Sequence, residues 1–312
     1  SKLKMLSRIF KKSNFQIEMQ EYIEKMSKIH KSILSFIEND DSTEEFEKLI
    51  HIFHDLEIQN NMHTLKLLLY IIVNIADNHQ RGPNFFVKIQ KILEVLKIKI
   101  KENFSNFSIF NIFKSNKRIL LFLIKEQIMI LDKTIIFLLT TKYEFVHSFY
   151  PEYLFSSIKP FMSDVAVQRI EESLPDNYKE KQEIGENDNY ICKLIRDDLI
   201  DDFVAFVKEK NLSLNSKIKK SFFETNSFLI NQQVSLIEYA AFFGSVQIFK
   251  YLQRNKIKLT PSLWLHAIHG KNIEIIHLLE ESNVKPEEKK FTECFYEAIK
   301  CHHNEIMDYI GN

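Results

Sequence analysis

The second half of the chain repeats a short helical pattern. The segment EYAAFFGSVQIFKYL (238–252) matches LHAIHGKNIEIIHLL (265–279) and then YEAIKCHHNEIMDYI (296–310), with an alanine and two aliphatic residues in equivalent places. A weaker copy, CKLIRDDLIDDFVAFV (192–207), lies upstream, and there Ile195 takes the place of the alanine. A period of about thirty residues built from two short helices is typical of a stacked array, in which each unit buries its apolar face on its neighbours.

The composition favours helices throughout. The 312 residues include 27 Phe but only 5 Gly and 6 Pro, whereas β-sandwiches and nucleotide-binding α/β folds need glycine at turns and phosphate loops. In residues 14–40 the apolar side chains recur every three or four residues, which places them along one side of a helix. The sequence therefore predicts an all-α protein, with an N-terminal helical domain followed by helix-turn-helix repeats.

A charged stretch separates the two predicted domains. EESLPDNYKEKQEIGENDNY (171–190) contains Pro175, Gly185 and few apolar residues, so it is predicted to be a linker. We expect a helical domain over residues 1–180 and the repeats over residues 181–312. The repeats are expected at four places, with an insert at residues 215–234 between the first two: about 189–214, 235–261, 262–288 and 293–312.

Composition and motifs also argue against several functions. Lys+Arg and Asp+Glu balance at 42 each, whereas a nucleic-acid-binding protein normally carries a basic excess. The three cysteines, an odd number, are expected to be reduced thiols of a cytoplasmic protein. The apolar stretch at residues 119–139 is interrupted by charged side chains, so no membrane span is predicted. With no nucleophile elbow, phosphate loop or dinucleotide-binding glycine cluster, we expect neither an enzyme nor a cofactor.

Four residues near the C-terminus invite comparison with zinc sites: Cys294, Cys301, His302 and His303. Paired spacing such as C-x-x-C is missing from the sequence. The repeats also place both histidines on a turn and Cys294 at the buried position of Leu263. The sequence therefore predicts no metal site.

The repeats resemble the ankyrin repeat. Against its usual T-P-L-H-x-A-A-x-x-G-H-x-x-I-V-x-x-L-L, the second copy keeps five residues: Ala240, Ala241, Gly244, Ile248 and Leu252. The TPLH segment is missing, and the glycine that usually ends the second helix is replaced by Asn211, Lys256 or Asn283. Glycine permits a tight turn between helices, and asparagine is the next-best residue for a left-handed helix end.

More specifically, residues 189–312 are similar to a large protist family, best known from trichomonads, that joins an uncharacterised helical region to divergent ankyrin repeats. The similarity is carried by runs such as SLIEYAAFFGSVQIFKYL and SLWLHAIHGKNIEIIHLLEESNVKPEE. It implies an intracellular scaffold for protein–protein interaction, without catalysis. Members often carry further repeats, and no evident capping repeat precedes Gly311; whether further repeats follow here is not determined by the sequence.

The resemblance also points to contact residues. In ankyrin units the two residues after the paired alanines usually point into the concave groove that binds partners. Two adjacent exposed aromatic residues, such as Phe242 and Phe243, would be a natural anchor for a protein segment. The implied partner-binding surface consists of six residues: Asp197, Asp198, Phe242, Phe243, His269 and Lys300.

Two alternatives remain open for this face. The insert could cover it with phenylalanines that themselves need burial: Phe222, Phe223 and Phe228. The face could also pack on the protein's own N-terminal helices or on another copy, which would make the protein structural or self-associating. The partner's identity and the oligomeric state are not determined by the sequence.

Overall fold

The computed structural model describes residues 2–39, 42–58, 61–82, 84–287 and 291–311, with side chains from Met19 onward apart from that of Ser42. These residues form 21 α-helices and no β-strand, and an isolated antiparallel bridge joins Lys217 to Ser235. The predicted all-α class is confirmed for this part of the chain. None of its helices has both the length and the apolar character needed to cross a bilayer. Of the predicted domain and repeat bounds, residues 1, 288 and 312 lie outside the described residues.

The chain divides into two compact units. The first contains residues up to Ile72 together with residues 81–104. The second contains residues 73–80 and the chain from Ser105 onward. The predicted boundary between residues 180 and 181 therefore falls inside the second unit.

The first unit is a group of amphipathic helices: α1 (Lys2–Glu38), α2 (Ser42–Asp55), the first part of α3 (Met62–Asn78) and α4 (Phe85–Asn103). Helix α1 packs against α2 and α4. Its residues Ile33 and Phe36 are buried, as their helical spacing predicts. The Lys88 ammonium lies at the C-terminal end of α1, where it donates to the carbonyl oxygens of Ile37 at 3.0 Å and Asn39 at 2.7 Å.

The second unit begins with short helices, several of which carry side-chain caps. Ser105, Asn116, Asp132 and Ser163 each accept a hydrogen bond from a backbone N–H in the helical turn that follows. Each cap satisfies a donor that the helix leaves without an intrahelical acceptor. After the last part of α3, the helices and one 3-10 turn (Lys159–Phe161) are α5 (Asn106–Phe113), α6 (Lys117–Lys125), α7 (Lys133–Thr141), α8 (Tyr143–His147), α9 (Tyr150–Tyr153), α10 (Phe155–Ile158), α11 (Asp164–Glu171) and α12 (Tyr178–Ile184).

The stretch predicted to be a linker, residues 171–190, is folded around α12. The Tyr178 hydroxyl donates to the carbonyl oxygen of Tyr153 at 2.7 Å, and the Tyr153 hydroxyl donates to that of Gln182 at 2.9 Å. Tyr178 and Gln182 are both buried. The predicted boundary thus lies within a packed helix, because the few inward-facing residues of this charged stretch are enough to anchor it.

The rest of the second unit is a row of four helical hairpins, with a short helix between the first two: α13 (Tyr190–Arg196) with α14 (Ile200–Glu209), α15 (Ser227–Ile230), α16 (Leu236–Phe243) with α17 (Val246–Arg254), α18 (Leu263–His269) with α19 (Ile273–Glu281), and α20 (Thr292–Lys300) with α21 (Asn304–Gly311). The first helices contact one another in the order α13, α16, α18, α20, and the second helices in the order α14, α17, α19. Ala240, Ala267 and Ala298 are fully buried. Small side chains at these equivalent positions let successive first helices approach closely.

Each hairpin turns through a residue with left-handed backbone: Asp198, Gly244, Lys271 and His302. After three of these turns, the next residue donates its N–H to a carbonyl oxygen at 2.9 to 3.0 Å: Leu199 to Leu194, Ser245 to Ala240 and His303 to Ala298. This pattern equates Leu194 with Ala240, so the predicted equivalence of Ile195 with Ala240 is wrong by one residue. The reason is local, because the first hairpin turns at Asp198 and not at the following residue.

Three of the second helices end in the same way. The backbone is left-handed at Asn211, Lys256 and Asn283, the positions at which the sequence replaces the usual glycine. A left-handed residue after a helix lets its N–H bond to the last free carbonyl groups. The helix ends predicted at these three residues are therefore confirmed.

Candidate functional site

Three chemically different side chains meet between the third and fourth hairpins: His269 at the end of α18, and Glu297 and Cys301 on and just after α20. We call them the His–Glu–Cys cluster. The His269 Nε2 atom lies 2.5 Å from the Glu297 Oε1 atom, and the Cys301 Sγ atom lies 3.4 Å from His269 Nδ1. The cluster is the group of potential metal ligands found in the described part of the chain, with all its donor atoms within 4.8 Å of one another.

The packing of the hairpins produces this meeting. Glu297 and Cys301 are four residues apart, so they lie on the same side of α20. Gly270, which follows His269, brings the end of α18 close to α16: a Cβ atom there would lie 2.5 Å from the Ala241 carbonyl oxygen. Because Gly270 has no side chain, the end of α18, which carries His269, can pack against the end of α16.

Burial fixes the protonation states of the cluster. It lowers the pKa of His269, despite the opposing carboxylate, and it raises the pKa of the Cys301 thiol. Burial alone would raise the pKa of Glu297, but the hydrogen bond from His269 and the nearby Lys300 ammonium outweigh it and lower the pKa. At neutral pH we therefore assign a neutral imidazole that donates from Nε2 to the Glu297 carboxylate and accepts at Nδ1 from the Cys301 thiol.

An aromatic cover from the insert closes one side of the cluster. The ring centroid of Phe228 lies 4.0 Å from that of His269 and 5.0 Å from that of His266. Phe242 stacks on Phe228 at 5.7 Å and on His269 at 5.3 Å. His269 is consequently only 4% exposed, in surroundings of low polarity that strengthen the hydrogen bonds it makes.

Other imidazoles lie next to the last turn. The ring of His79 is 5.7 Å from that of His302 and 6.3 Å from that of His303, centroid to centroid. His303 is buried. Burial, together with the positive charges of Lys271 and His79, lowers the pKa of His303 to about 4. This ring is therefore neutral at physiological pH.

The two phenylalanines of the predicted contact surface are half-buried. Phe242 lies between Phe228 and His269, as described above. Phe243 packs on Tyr239 at 4.7 Å between ring centroids. The Arg196 guanidinium carbon lies 5.9 Å from the centroid of the Phe243 ring. The insert thus covers Phe242 with Phe228, one of the phenylalanines named for this role. Phe222 and Phe223 pack elsewhere, near Phe149 and Tyr178.

Two of the six predicted contact residues require correction. His269 does not lie on an accessible surface, because Phe228 covers it and Glu297 binds it. Asp198 is equivalent to Gly244 and not to Phe243, and its carboxylate accepts hydrogen bonds from the N–H groups of Gln247 and Ile248, both at 3.0 Å. It therefore caps α17 of the next hairpin. Asp197 and Lys300 are exposed, and Lys300 donates to Glu297 at 3.2 Å.

The residues weighed as zinc ligands from the sequence do not come together as a set. Cys294 is buried about two turns before Cys301, near the other end of α20, and His302 and His303 lie with His79. The structure instead brings Cys301 to His269 and Glu297. The repeat alignment could have predicted that His269 lies near Cys301, because it sets His269-Gly270 of one unit against Lys300-Cys301 of the next.

The last hairpin carries an exposed apolar pair. Tyr296 is 64% exposed and Ile299 is 45% exposed on α20. The equivalent of Ile299 in the previous hairpin is Ile268, which is fully buried where α20 packs on α18.

No family model, curated protein or solved structure matches the chain, so only its own geometry bears on its function.

Proposed function

We propose that residues 189–312 form a divergent ankyrin-like array that binds a segment of another protein without catalysis. The sequence repeats support this proposal, and so do the ordered contacts between successive hairpins. The left-handed turn residues that recur from hairpin to hairpin add independent support, because they concern backbone geometry and not residue identity. Stacked helical units of this kind offer extended surfaces suited to recognition.

The exposed pair on α20 is the observation that carries the proposal. Lys300 lies one turn after Tyr296, so the two extend the face that the insert covers on α16 and α18. Ile299 lies beside them and offers apolar area that is unusual on a free surface. A tyrosine, an aliphatic residue and a flanking charge make a suitable centre for a protein contact.

The kind of partner follows from the way in which the first helix of one hairpin covers the first helix of the hairpin before it. Helix α20 covers α18 and buries Cys294 and Ala298, two small residues four positions apart. A partner segment that packs on the exposed side of α20 in the same way is a helix with small side chains four positions apart, because such side chains let two helices approach closely. We therefore expect a helical segment of a partner, and not an extended peptide.

A photo-crosslinking experiment tests this. A benzophenone amino acid replaces Ile299 in the full chain, and in a matched control it replaces Ile273, which is about equally exposed on α19. Irradiation in lysate of the source cells, followed by mass spectrometry, is expected to give adducts at position 299 that map to helical segments and disappear with Tyr296→Glu. Equal adducts at both positions, or none at 299, would overturn the proposal.

The second candidate is a structural, self-associating role for the same face. The observation in its favour is Phe228, which shows that part of the face is covered by the chain itself. Self-association through α20 predicts that the mass measured by light scattering rises with protein concentration and that Ile299→Glu abolishes the rise. Adducts of the photo-crosslinker with a second copy of the chain would agree with this role.

A further inference from the structure

We infer that the His–Glu–Cys cluster is a zinc site, with His269 Nε2, Glu297 Oε1 and Cys301 Sγ as its protein ligands. The inference does not depend on the proposed partner binding. Imidazole, thiolate and carboxylate are the three side-chain groups that zinc uses in proteins. A set that contains sulfur and nitrogen also favours zinc over magnesium or calcium, which prefer all-oxygen sites.

Two of the three separations between the donor atoms lie close to those of a zinc site. Zinc bonds of roughly 2.0–2.3 Å in a tetrahedral arrangement place neighbouring ligand atoms about 3.3–3.7 Å apart. Cys301 Sγ lies 3.8 Å from His269 Nε2 and 3.9 Å from Glu297 Oε1, but it is nearer Nδ1, at 3.4 Å. The sulfur therefore lies beside the imidazole and not in line with the Nε2 lone pair, so the ring must rotate about its Cβ–Cγ bond before both atoms can bind one ion. The third separation, between Nε2 and Oε1, is 2.5 Å, because a proton joins these two atoms. Replacement of that proton by the metal requires them to separate by less than about 1 Å.

Charge also matches. One thiolate and one carboxylate neutralise a divalent ion, so the occupied site has no net charge. This matters because His269 and Cys301 are 4% and 0% exposed, and an uncompensated charge at such a depth is costly. When zinc binds, the Cys301 thiol loses its proton to solvent and the imidazole proton moves from Nε2 to Nδ1, so one proton is released per ion.

A metal ion could reach the cluster from solvent at Glu297, and it would keep one coordination position free. Its side chain is only partly buried, and the Lys300 ammonium that contacts it belongs to an exposed side chain, which can rotate into solvent as the metal neutralises the carboxylate. Three protein ligands leave one tetrahedral position for water. The ion would join the end of α18 to α20 and so hold the last hairpin on the third.

Cobalt(II) is the probe, because it takes zinc sites and reports a bound thiolate by a charge-transfer band in the near ultraviolet. The metal-free full chain is expected to bind one cobalt ion with this band, and zinc is expected to displace it. Cys301→Ser should abolish the band, and Glu297→Gln should weaken binding about tenfold or more. Cys294→Ser changes an equally buried thiol on the same helix and should retain both band and affinity.

A variant that leaves Cys301 as the sole cysteine keeps the proposal testable if Cys301→Ser does not fold. The chain has three cysteines, so Cys192→Ser combined with Cys294→Ser creates it. The thiolate band in this variant would support the site, and zinc competition against a chromophoric chelator would give its affinity. A wild-type chain without the band, or a folded Cys301→Ser chain that retains it, would overturn the inference.

Discussion

The Asp198 carboxylate accepts a hydrogen bond from the backbone N–H of Ile248 at 3.0 Å, and so joins the turn of the first hairpin to the second helix of the next. Its other oxygen accepts from Gln247. Asp197, the adjacent residue, is exposed and makes no such link in the described part of the chain. Neighbouring aspartates that looked equivalent in the sequence therefore have different roles.

We predict that Asp198→Ala destabilises the protein by about 2 kcal/mol, because it removes a helix cap and leaves a left-handed backbone on alanine. Asp197→Ala should change the free energy of unfolding by less than about 0.5 kcal/mol. Urea unfolding of the two variants beside the wild type makes the comparison. Equal effects would show that the cap does not stabilise the array.

Gly270→Ala should be strongly destabilising. The added methyl group would lie 2.5 Å from the Ala241 carbonyl oxygen and 2.8 Å from that of Phe242, so α18 must move away from α16 at a cost of about 3 kcal/mol. Gly82→Ala is the matched control, because nothing lies within 4 Å of a Cβ atom at that residue. A melting temperature of Gly270→Ala close to that of Gly82→Ala would contradict the close approach of the two helices.

Acid should destabilise the hairpins through their buried histidines. Burial lowers the pKa of His266 and His269 and lowers that of His303 to about 4. In the unfolded chain these residues bind protons near pH 6.5, so the unfolded state gains protons first as the pH falls. Stability should therefore drop below about pH 6.5, by up to about 1.4 kcal/mol per pH unit for each proton.

Urea unfolding at pH 7.5, 6 and 5, with a chelator present, measures this slope. Burial raises the pKa of Glu238, but hydrogen bonds from Ser235 and Ser262 outweigh it and lower the pKa to about 2. The chosen pH range stays above the acid region in which protonation of Glu238 would cause a further loss of stability. His303→Gln should reduce the slope, with His54→Gln at an exposed site as the control. A slope unchanged by His303→Gln would contradict the assignment.

Lys117 should give a slope of the same sign, but in weakly alkaline solution. Its ammonium donates to the carbonyl oxygens of Phe222 at 2.8 Å and Ser148 at 3.1 Å, and burial lowers its pKa to about 7. Above pH 7 the folded protein loses this proton while the unfolded chain keeps it, so stability should rise with pH by up to about 1.4 kcal/mol per unit.

The difference between wild type and Lys117→Met, measured by unfolding at pH 7.5 and 8.5, isolates this contribution. Lys114→Met, at an exposed lysine close by, controls for the loss of a positive charge. We expect the pH dependence to persist in Lys114→Met and to vanish in Lys117→Met. Its persistence in both would mean that another group is responsible.

Periodicity predicted the helical class, the hairpins and the turn at Gly244, because these features depend on local spacing and on one residue's backbone freedom. The alignment of the first hairpin was one residue off, since an aspartate at the turn does not stand out as a glycine does. The helix within residues 171–190 was missed because two inward-facing residues, Tyr178 and Gln182, are hidden among charged ones.

The candidate site depended on contacts that local patterns do not encode. Nothing in the insert's sequence fixes Phe228 over His269, because that contact joins distant residues. The proximity of His269 and Cys301 was accessible through the repeat alignment, but Glu297 became meaningful only with its position one turn before Cys301. A cluster assembled across two hairpins leaves no ligand spacing along the chain that a motif could reveal.

The position of Phe228 bears on how the array comes apart. Rows of helical hairpins can open unit by unit, because each hairpin contacts only its neighbours. Phe228 touches Phe242 of the second hairpin and His269 of the third, and so ties their opening together. The second and third hairpins should lose hydrogen-exchange protection in one step. The fourth hairpin, whose first helix packs on α18 at the end of the row, should open earlier. The insert that interrupts the repeat thus sets the size of its cooperative unit.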